Sequence, residues 1–133
     1  MIHLDTNVVI AYLNGDSRIA ERLKLALPDV AISAIVLGEL LYGARVSARA
    51  KENVEKVYQL LRAIDAVDFD RDCAEAYSAL KVDLRRKGRL TNEVDALIAA
   101  TALAHNARLV THNTKHFENI TGLQIEDWLN RGG

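Results

Sequence analysis

The sequence predicts an α/β fold in which helices cover both faces of a mainly parallel sheet. Two observations lead there. Short strand-like segments alternate with helical ones along the 133 residues. Those segments are continuous apolar runs, not the alternating apolar–polar pattern of a half-exposed sheet. No repeat, low-complexity tract or linker divides the chain, so residues 1–133 read as one domain.

The elements follow in order. Residues 2–5, Ile-His-Leu-Asp, read as a short buried strand, and residues 6–13 as a helix stopped by Asn14, Gly15 and Asp16. Asp16 or Ser17 caps a second helix to about Leu27, which Pro28 breaks. Residues 30–32 form a second strand, and Ser33 is a natural N-cap for a helix to about Val46. A further helix over 48–62 carries Val54, Val57, Tyr58 and Leu61 at helical spacing. Residues 66–68 are a third strand. A long helix over 71–87 sets Cys73, Ala76, Tyr77, Leu80 and Leu84 on one side, and Gly88 ends it. Thr91 or Asn92 caps an alanine-rich helix to about His105. Residues 108–111 and 123–125 are the fourth and fifth strands, followed by a helical tail carrying Trp128.

Apolar residues make up 50% and charged residues 26%, the balance of an ordinary globular domain. The one cysteine, Cys73, excludes an internal disulfide and fits a reducing compartment. No apolar run approaches the ~20 residues of a membrane span. The start of the chain lacks a basic region leading into an apolar stretch, so a cytoplasmic protein with no membrane association is expected. The net charge of −1 does not announce a nucleic-acid binder. Basic residues nevertheless cluster twice, at Arg45, Arg49 and Lys51, and at Lys81, Arg85, Arg86, Lys87 and Arg89. Either cluster reads as a solvated helix end or as a phosphate-binding surface.

Three carboxylates sit where apolar side chains are expected. Asp5 ends the first strand, Glu39 interrupts the apolar run 35–41, and Asp95 opens the run Val94-Asp95-Ala96-Leu97-Ile98-Ala99-Ala100. An acid against a core is costly unless something pairs with it, and three acids suggest a shared divalent cation. In open α/β sheets the site lies beyond the carboxyl ends of strands. Asp5, Thr111 and Asn113 lie at such ends, and Glu39 lies on the helix after the second strand. Asp5 also reads as an N-cap, and Asp95 as a helix-start acid favoured by the macrodipole. Glu39 shares a helix face with Ile35, Val36, Tyr42 and Gly43, a face that reads as core, while Gly38 and Gly43 suggest close approach of another backbone. Glu93 faces away from Asp95 and is expected to be exposed, the alternative being an extra acid that supports the site. Oxygen-only ligands select Mg²⁺ or Mn²⁺ over zinc. His112, His116 and His105 do not complete a zinc site, because Cys73 is distant in sequence. His3 shares a strand face with Asp5 and reads as packed.

These residues resemble a known family. Leu4-Asp5-Thr6-Asn7, Glu39-Leu40 with Gly43, Asp95-Ala96-Leu97-Ile98-Ala99-Ala100, Thr111-His112-Asn113 with Phe117, Gly122-Leu123 and Trp128 occur in the order and spacing of PIN-domain nucleases, in particular the VapC-type toxins of toxin–antitoxin pairs. The resemblance covers essentially the whole chain. It implies a three-layer α/β/α fold and Mg²⁺- or Mn²⁺-dependent cleavage of RNA by water that the metal activates. Asp5, Glu39 and Asp95 are then the acidic metal site, Asn113 the fourth position, and Thr6, Asn7 and Thr111 its support. His112 stands where the family often has Arg. A homodimer and a cognate antitoxin are implied as well. Arg85, Arg86 and Lys87 are candidates for gripping the RNA backbone.

Two other functions are compatible with parts of the pattern. A phosphatase could use Asp5 as nucleophile, although Asn7 stands where an Asp-x-Asp pair would place its second acid. A non-catalytic regulatory module acting with a DNA-binding partner is the other, and the presence of all three acids argues against it.

Overall fold

The computed structural model describes residues 1–129. Five strands, β1 (Ile2–Leu4), β2 (Val30–Ser33), β3 (Asp65–Val67), β4 (Arg108–Val110) and β5 (Ile125–Glu126), form one sheet in the order β3-β2-β1-β4-β5. Every pairing is parallel. Six helices cover its two faces: α1 (Thr6–Leu13), α2 (Ser17–Ala26), α3 (Ala34–Val46), α4 (Ala50–Leu60), α5 (Arg71–Arg86) and α6 (Glu93–Ala104). The three-layer α/β/α arrangement is therefore as the sequence predicts. Among the described residues no helix is long and apolar enough to cross a membrane.

The apolar runs became strands because both faces are covered. Every residue of β1 and β2 is buried. Leu4, Ile32, Leu109 and Val110 pack with Val8, Val36, Ile98 and Phe117, all within 1% of full burial. Each such side chain contributes roughly 1.5–3 kcal/mol by leaving water. Helix starts obey local chemistry. Asp16, Ser33, Asp70 and Asn92 each accept backbone N–H bonds as N-caps. Past the end of α5, Gly88 takes a left-handed φ of 68°.

Several boundaries differ from expectation. Helix α4 starts at Ala50, two residues late, with Arg49 at the N-cap making no side-chain capping hydrogen bond. Strand β3 begins one residue early, where Asp65 aligns with Ala31 of β2. Strand β5 lies at Ile125–Glu126, the residues level with Leu109 and Val110. The helical tail is not formed through Leu129, and the rest of it lies outside the described residues. Trp128 is instead a buried anchor, its Nε1 donating to Glu126 at 3.1 Å and its ring lying 5.4 Å beneath the Arg22 guanidinium.

The strand order locates the crevice. From β1 the chain builds outward through β2 to β3, and later returns to the other side of β1 with β4 and β5. The direction of winding reverses between β1 and β4, and the space beyond their carboxyl ends is where such sheets bind ligands.

Candidate active site

Leu4 is level with Val110, so the residues that follow, Asp5 and Thr111, emerge side by side at this switch point. The backbone continues the pairing one step further, Asp5 N–H donating to the Val110 carbonyl at 2.8 Å. Asp5 is 5% exposed and both of its oxygens are engaged. Oδ1 accepts from the Thr6 N–H at 2.9 Å, the predicted cap, and Oδ2 accepts from the Thr111 hydroxyl at 2.7 Å. Thr111, fully buried, is itself aimed by the Asn113 N–H, which donates to its Oγ1 at 3.0 Å. Asn7 Oδ1 accepts from the His112 N–H at 3.3 Å and ties the first turn of α1 to the loop after β4.

Glu39 reaches the same place from α3. The Thr6 hydroxyl donates to Glu39 Oε1 at 2.5 Å, so Thr6 connects the two acids through its backbone and its side chain. The core-facing position read for Glu39 is not observed. Glu39 is exposed, Tyr42 is 70% exposed, and the buried stripe of α3 is Val36, Leu40 and Ala44. The glycines of α3 face open space, so no backbone approaches them closely. The apolar run 35–41 is a partly solvent-facing helix wall, which its hydrophobicity alone conceals.

Asp95 lies in the first turn of α6, with Ile98, Ala99 and Ala102 buried on the same side, as expected. Its position is set by Asn92, whose Oδ1 accepts from Val94 N–H at 2.8 Å and Asp95 N–H at 3.4 Å. Asp95 Oδ2 faces His116 Nδ1 at 3.2 Å. His116 sits in the 3₁₀ turn Thr114–His116 after β4. Sequence reasoning weighed it only as a zinc ligand, and its place on the loop beyond a strand end was the overlooked sign.

Asp5 and Asp95 sense their acidic neighbours. Burial, chiefly, pushes the Asp5 carboxyl above its ordinary range; Thr111 and Thr6 pull it down, and the Glu39 charge raises it. Burial also raises Asp95, followed by the charge of Asp5, with His116 opposing and Glu39 adding to the rise. Among the described residues no three His, Cys, Asp or Glu side chains stand close enough together to hold a metal ion between them. The donor set still fits a hard divalent cation, being carboxylate oxygens whose mutual repulsion a shared cation relieves.

The other candidates are dispersed around this centre. Asn113 is exposed on the rim, and among the described residues its side chain makes no hydrogen bond. His112 pairs with Asp127 at 3.2 Å. Glu93 is held by Lys81 and Tyr77 on the outside of α5, away from the acids, as its helical phase predicted. Lys87 bonds Asp83, the Asn119 carbonyl and Thr121, so its amine is engaged within the protein. Arg85 and Arg86 are exposed, with no ion pair among the described residues.

Residues 2–123 match the family model for the PIN domain. The chain is 38% identical to "Ribonuclease VapC2" of Rickettsia felis over 128 residues, 94% of this chain and 96% of that protein. It is 34% identical to the "tRNA(fMet)-specific endonuclease VapC" of Shigella flexneri over 126 residues, with the same coverage. Its structure superposes on the DNA-bound VapBC crystal structure from Salmonella typhimurium with a TM-score of 0.91 at 34% identity, spanning 96% of this chain and 99% of that one. The fold, the acids at its switch point and these relatives agree: the chain belongs to the PIN-domain family, and within it to the VapC-type ribonucleases.

Proposed function

We propose that this protein is a Mg²⁺-dependent endoribonuclease, Mn²⁺ being an alternative ion, and the toxin of a toxin–antitoxin pair. The observation that carries the reading is geometric: Asp5 emerges beside Thr111 at the carboxyl ends of β1 and β4, the Thr6 hydroxyl joins Glu39 of α3 to it, and the loop after β4 brings His116 onto Asp95 of α6. Asp5 and Asp95 would hold the ion, with Glu39 a third ligand or the acceptor that orients a water. When bound, the ion supplies Lewis-acid neutralisation of the phosphodiester and acidifies water. The chain's own residues do the positioning. Thr111 and the Thr6 N–H hold the Asp5 oxygens, the Thr6 hydroxyl holds Glu39, and Asn92 fixes the first turn that presents Asp95. A water would attack phosphorus in line, its oxygen bonding to phosphorus as the P–O3′ bond breaks and a proton passing to the leaving 3′ oxygen by way of solvent, which gives a 5′-phosphate and a 3′-hydroxyl. Asn113 at the rim is a candidate fourth contact. The phosphatase alternative is disfavoured because Asn7, not a second acid, stands two residues after Asp5, and its Oδ1 is engaged by the His112 N–H.

The relatives support the partner as well as the reaction. Solved VapBC structures are toxin–antitoxin complexes, and we infer a cognate antitoxin here. A 220 Å³ groove between α1, α3 and α4 ends on Glu39 and is walled by Ile10, Leu13, Leu40 and Val57, a suitable seat for an antitoxin segment. A homodimer in the cytoplasm completes the proposal, and sedimentation of the toxin alone tests the dimer. Total cellular RNA, with a tRNA tried first, is to be incubated with the wild type and Asp5→Asn, with and without Mg²⁺, and the ends mapped. Discrete cuts by the wild type in Mg²⁺ alone are expected. Equal cleavage by both proteins overturns the mechanism.

A further inference from the structure

Beside Asp95 lies a second cavity, of about 280 Å³, with Asp95 and His116 among the residues that line it. Its floor is apolar, from the buried Leu84 and Ile120, and its rim is polar, from Asn92, Asn119 and Lys115. That size sits just below the usual range of small-molecule sites, about 300–1,000 Å³, and accommodates one heterocycle rather than a stack. Leu84, Leu90 and Thr91 also wall a neighbouring trough of about 570 Å³, so the two spaces adjoin at the α5–α6 turn. The trough is lined by Lys81, Arg85 and Arg89. Lys81 is paired with Glu93, whereas Arg85 and Arg89 are exposed and have no ion pair among the described residues. Leu90, on the shared rim, is 102% exposed, an apolar side chain fully in water at the junction.

Resting on the endoribonuclease reading above, we propose that the cavity seats one unstacked nucleobase flanking the scissile phosphate, while Arg85 and Arg89 hold the backbone of the strand that continues into the trough. The chemistry matches a base at each wall. Apolar side chains take its faces, and Leu90 offers a ledge for the next base. Asn92 spends its Oδ1 on the α6 cap, which leaves its amide N–H groups for a base edge. The Asn119 side chain has no hydrogen bond among the described residues, because it is the backbone carbonyl that takes Lys87. Single-stranded RNA is read in this way, with bases splayed out and bonded along their edges. The cavity therefore selects the base at one position beside the cut, which the acids, acting on phosphate alone, cannot do.

The test uses the full chain, Mn²⁺ or Mg²⁺, and a synthetic RNA carrying the cleavage site found by end mapping. Matched RNAs lack the base at one flanking position each. One such abasic position is expected to lower wild-type kcat/KM by about tenfold or more, in line with a well-made base contact. The exposed-site variant Asn119→Leu is expected to lose that discrimination and cut the intact and abasic RNAs alike. In the non-cleaving Asp5→Asn background, removing Arg85 and Arg89 should reduce the salt slope of RNA binding by roughly 0.7 per lost phosphate contact. If the wild type cuts RNA but no abasic position changes its rate, or Asn119→Leu keeps the full abasic penalty, the base pocket is wrong and the nuclease stands. If the wild type cuts no RNA with either metal, the nuclease reading falls and the pocket with it.

Discussion

Replacing Thr111 with valine isolates the hydrogen bond that holds the central acid. The side chains have nearly the same shape, and Thr111 is fully buried, so the change deletes a hydroxyl and little else. That hydroxyl donates to Asp5 Oδ2 at 2.7 Å. A hydrogen bond to a charged group contributes about 1.5–3 kcal/mol. The added methyl returns roughly 0.8 kcal/mol by burial. The Asn113 N–H that loses Oγ1 belongs to an exposed residue and turns to water. The net loss at pH 7, without metal, is about 1–2 kcal/mol. Its pH dependence follows from the Asp5 shift. Burial already raises the Asp5 carboxyl above its ordinary 3.8, and Thr111 opposes that rise. An acid raised in the folded state is best tolerated protonated, so stability falls as pH climbs from 3.8 through the folded value and then levels. The valine variant has the higher folded value, so its curve departs further from wild type across that window. Below pH 3.8 only a neutral bond of about 1 kcal/mol is lost, and the methyl nearly cancels it. Urea titrations of the apo proteins at pH 7 and pH 3.5 measure the difference. An equal loss at both values, or none at pH 7, refutes the picture of an ionised Asp5 held by Thr111.

Further outcomes follow from the same geometry. Mn²⁺ at about one hundred times its Kd should stabilise the wild type by about 2.7 kcal/mol, and Asp5→Asn should abolish the effect in a thermal melt. Asn92→Ala removes the α6 cap and should cost about 1 kcal/mol of stability by denaturant titration; because it slackens the turn presenting Asp95, cleavage should fall in the same variant. Glu93→Gln should leave single-turnover cleavage at saturating RNA unchanged, since Glu93 bonds Lys81 and Tyr77 away from the acids, while the freed Lys81 in the trough should tighten RNA binding. His3 is buried with both ring nitrogens unpartnered, its ring 5.4 Å from that of His105. Burial, then the His105 and N-terminal charges, lower its pKa from 6.5 to about 4. Being held neutral, His3 contributes stability above pH 6.5 that is lost as pH falls towards 4, a change of about 3 kcal/mol. His3→Leu should flatten that acid limb in pH-dependent melts, and an unchanged limb would locate the acid sensitivity elsewhere.

The sequence was informative wherever physics is local. Caps at Asp16, Ser33, Asp70 and Asn92 need only a side chain and the N–H groups two or three residues on. The apolar runs of β1 and β2 announced burial on both faces, and Asp5 and Asp95 stood out because an acid beside such runs needs a partner. Glu39 shows the limit. Its apolar neighbours suggested a buried face, but which stripe of α3 turns inward depends on where α1, α4 and the sheet lie, and Glu39 faces solvent while still reaching Thr6. His116 met Asp95 only because the turn after β4 folds back over the start of α6. Lys87 looked like a free cation until Asp83, Asn119 and Thr121 were found around it.

By itself the sequence determined the α/β class and the alternation of its elements, and it singled out the acids as candidates, since periodicity, caps and the cost of a buried charge are written in neighbouring residues. Only the tertiary structure decided that β1 lies at the centre of the sheet between β2 and β4, that Asp5 and Thr111 therefore emerge together, and that a base-sized cavity opens beside Asp95. The reason is the range of the forces. Strand order and cavity shape come from packing between segments as close as Leu109 and Ile125 and as distant as Ile2 and Arg108 in the chain, and no local pattern encodes which of several apolar runs will become neighbours.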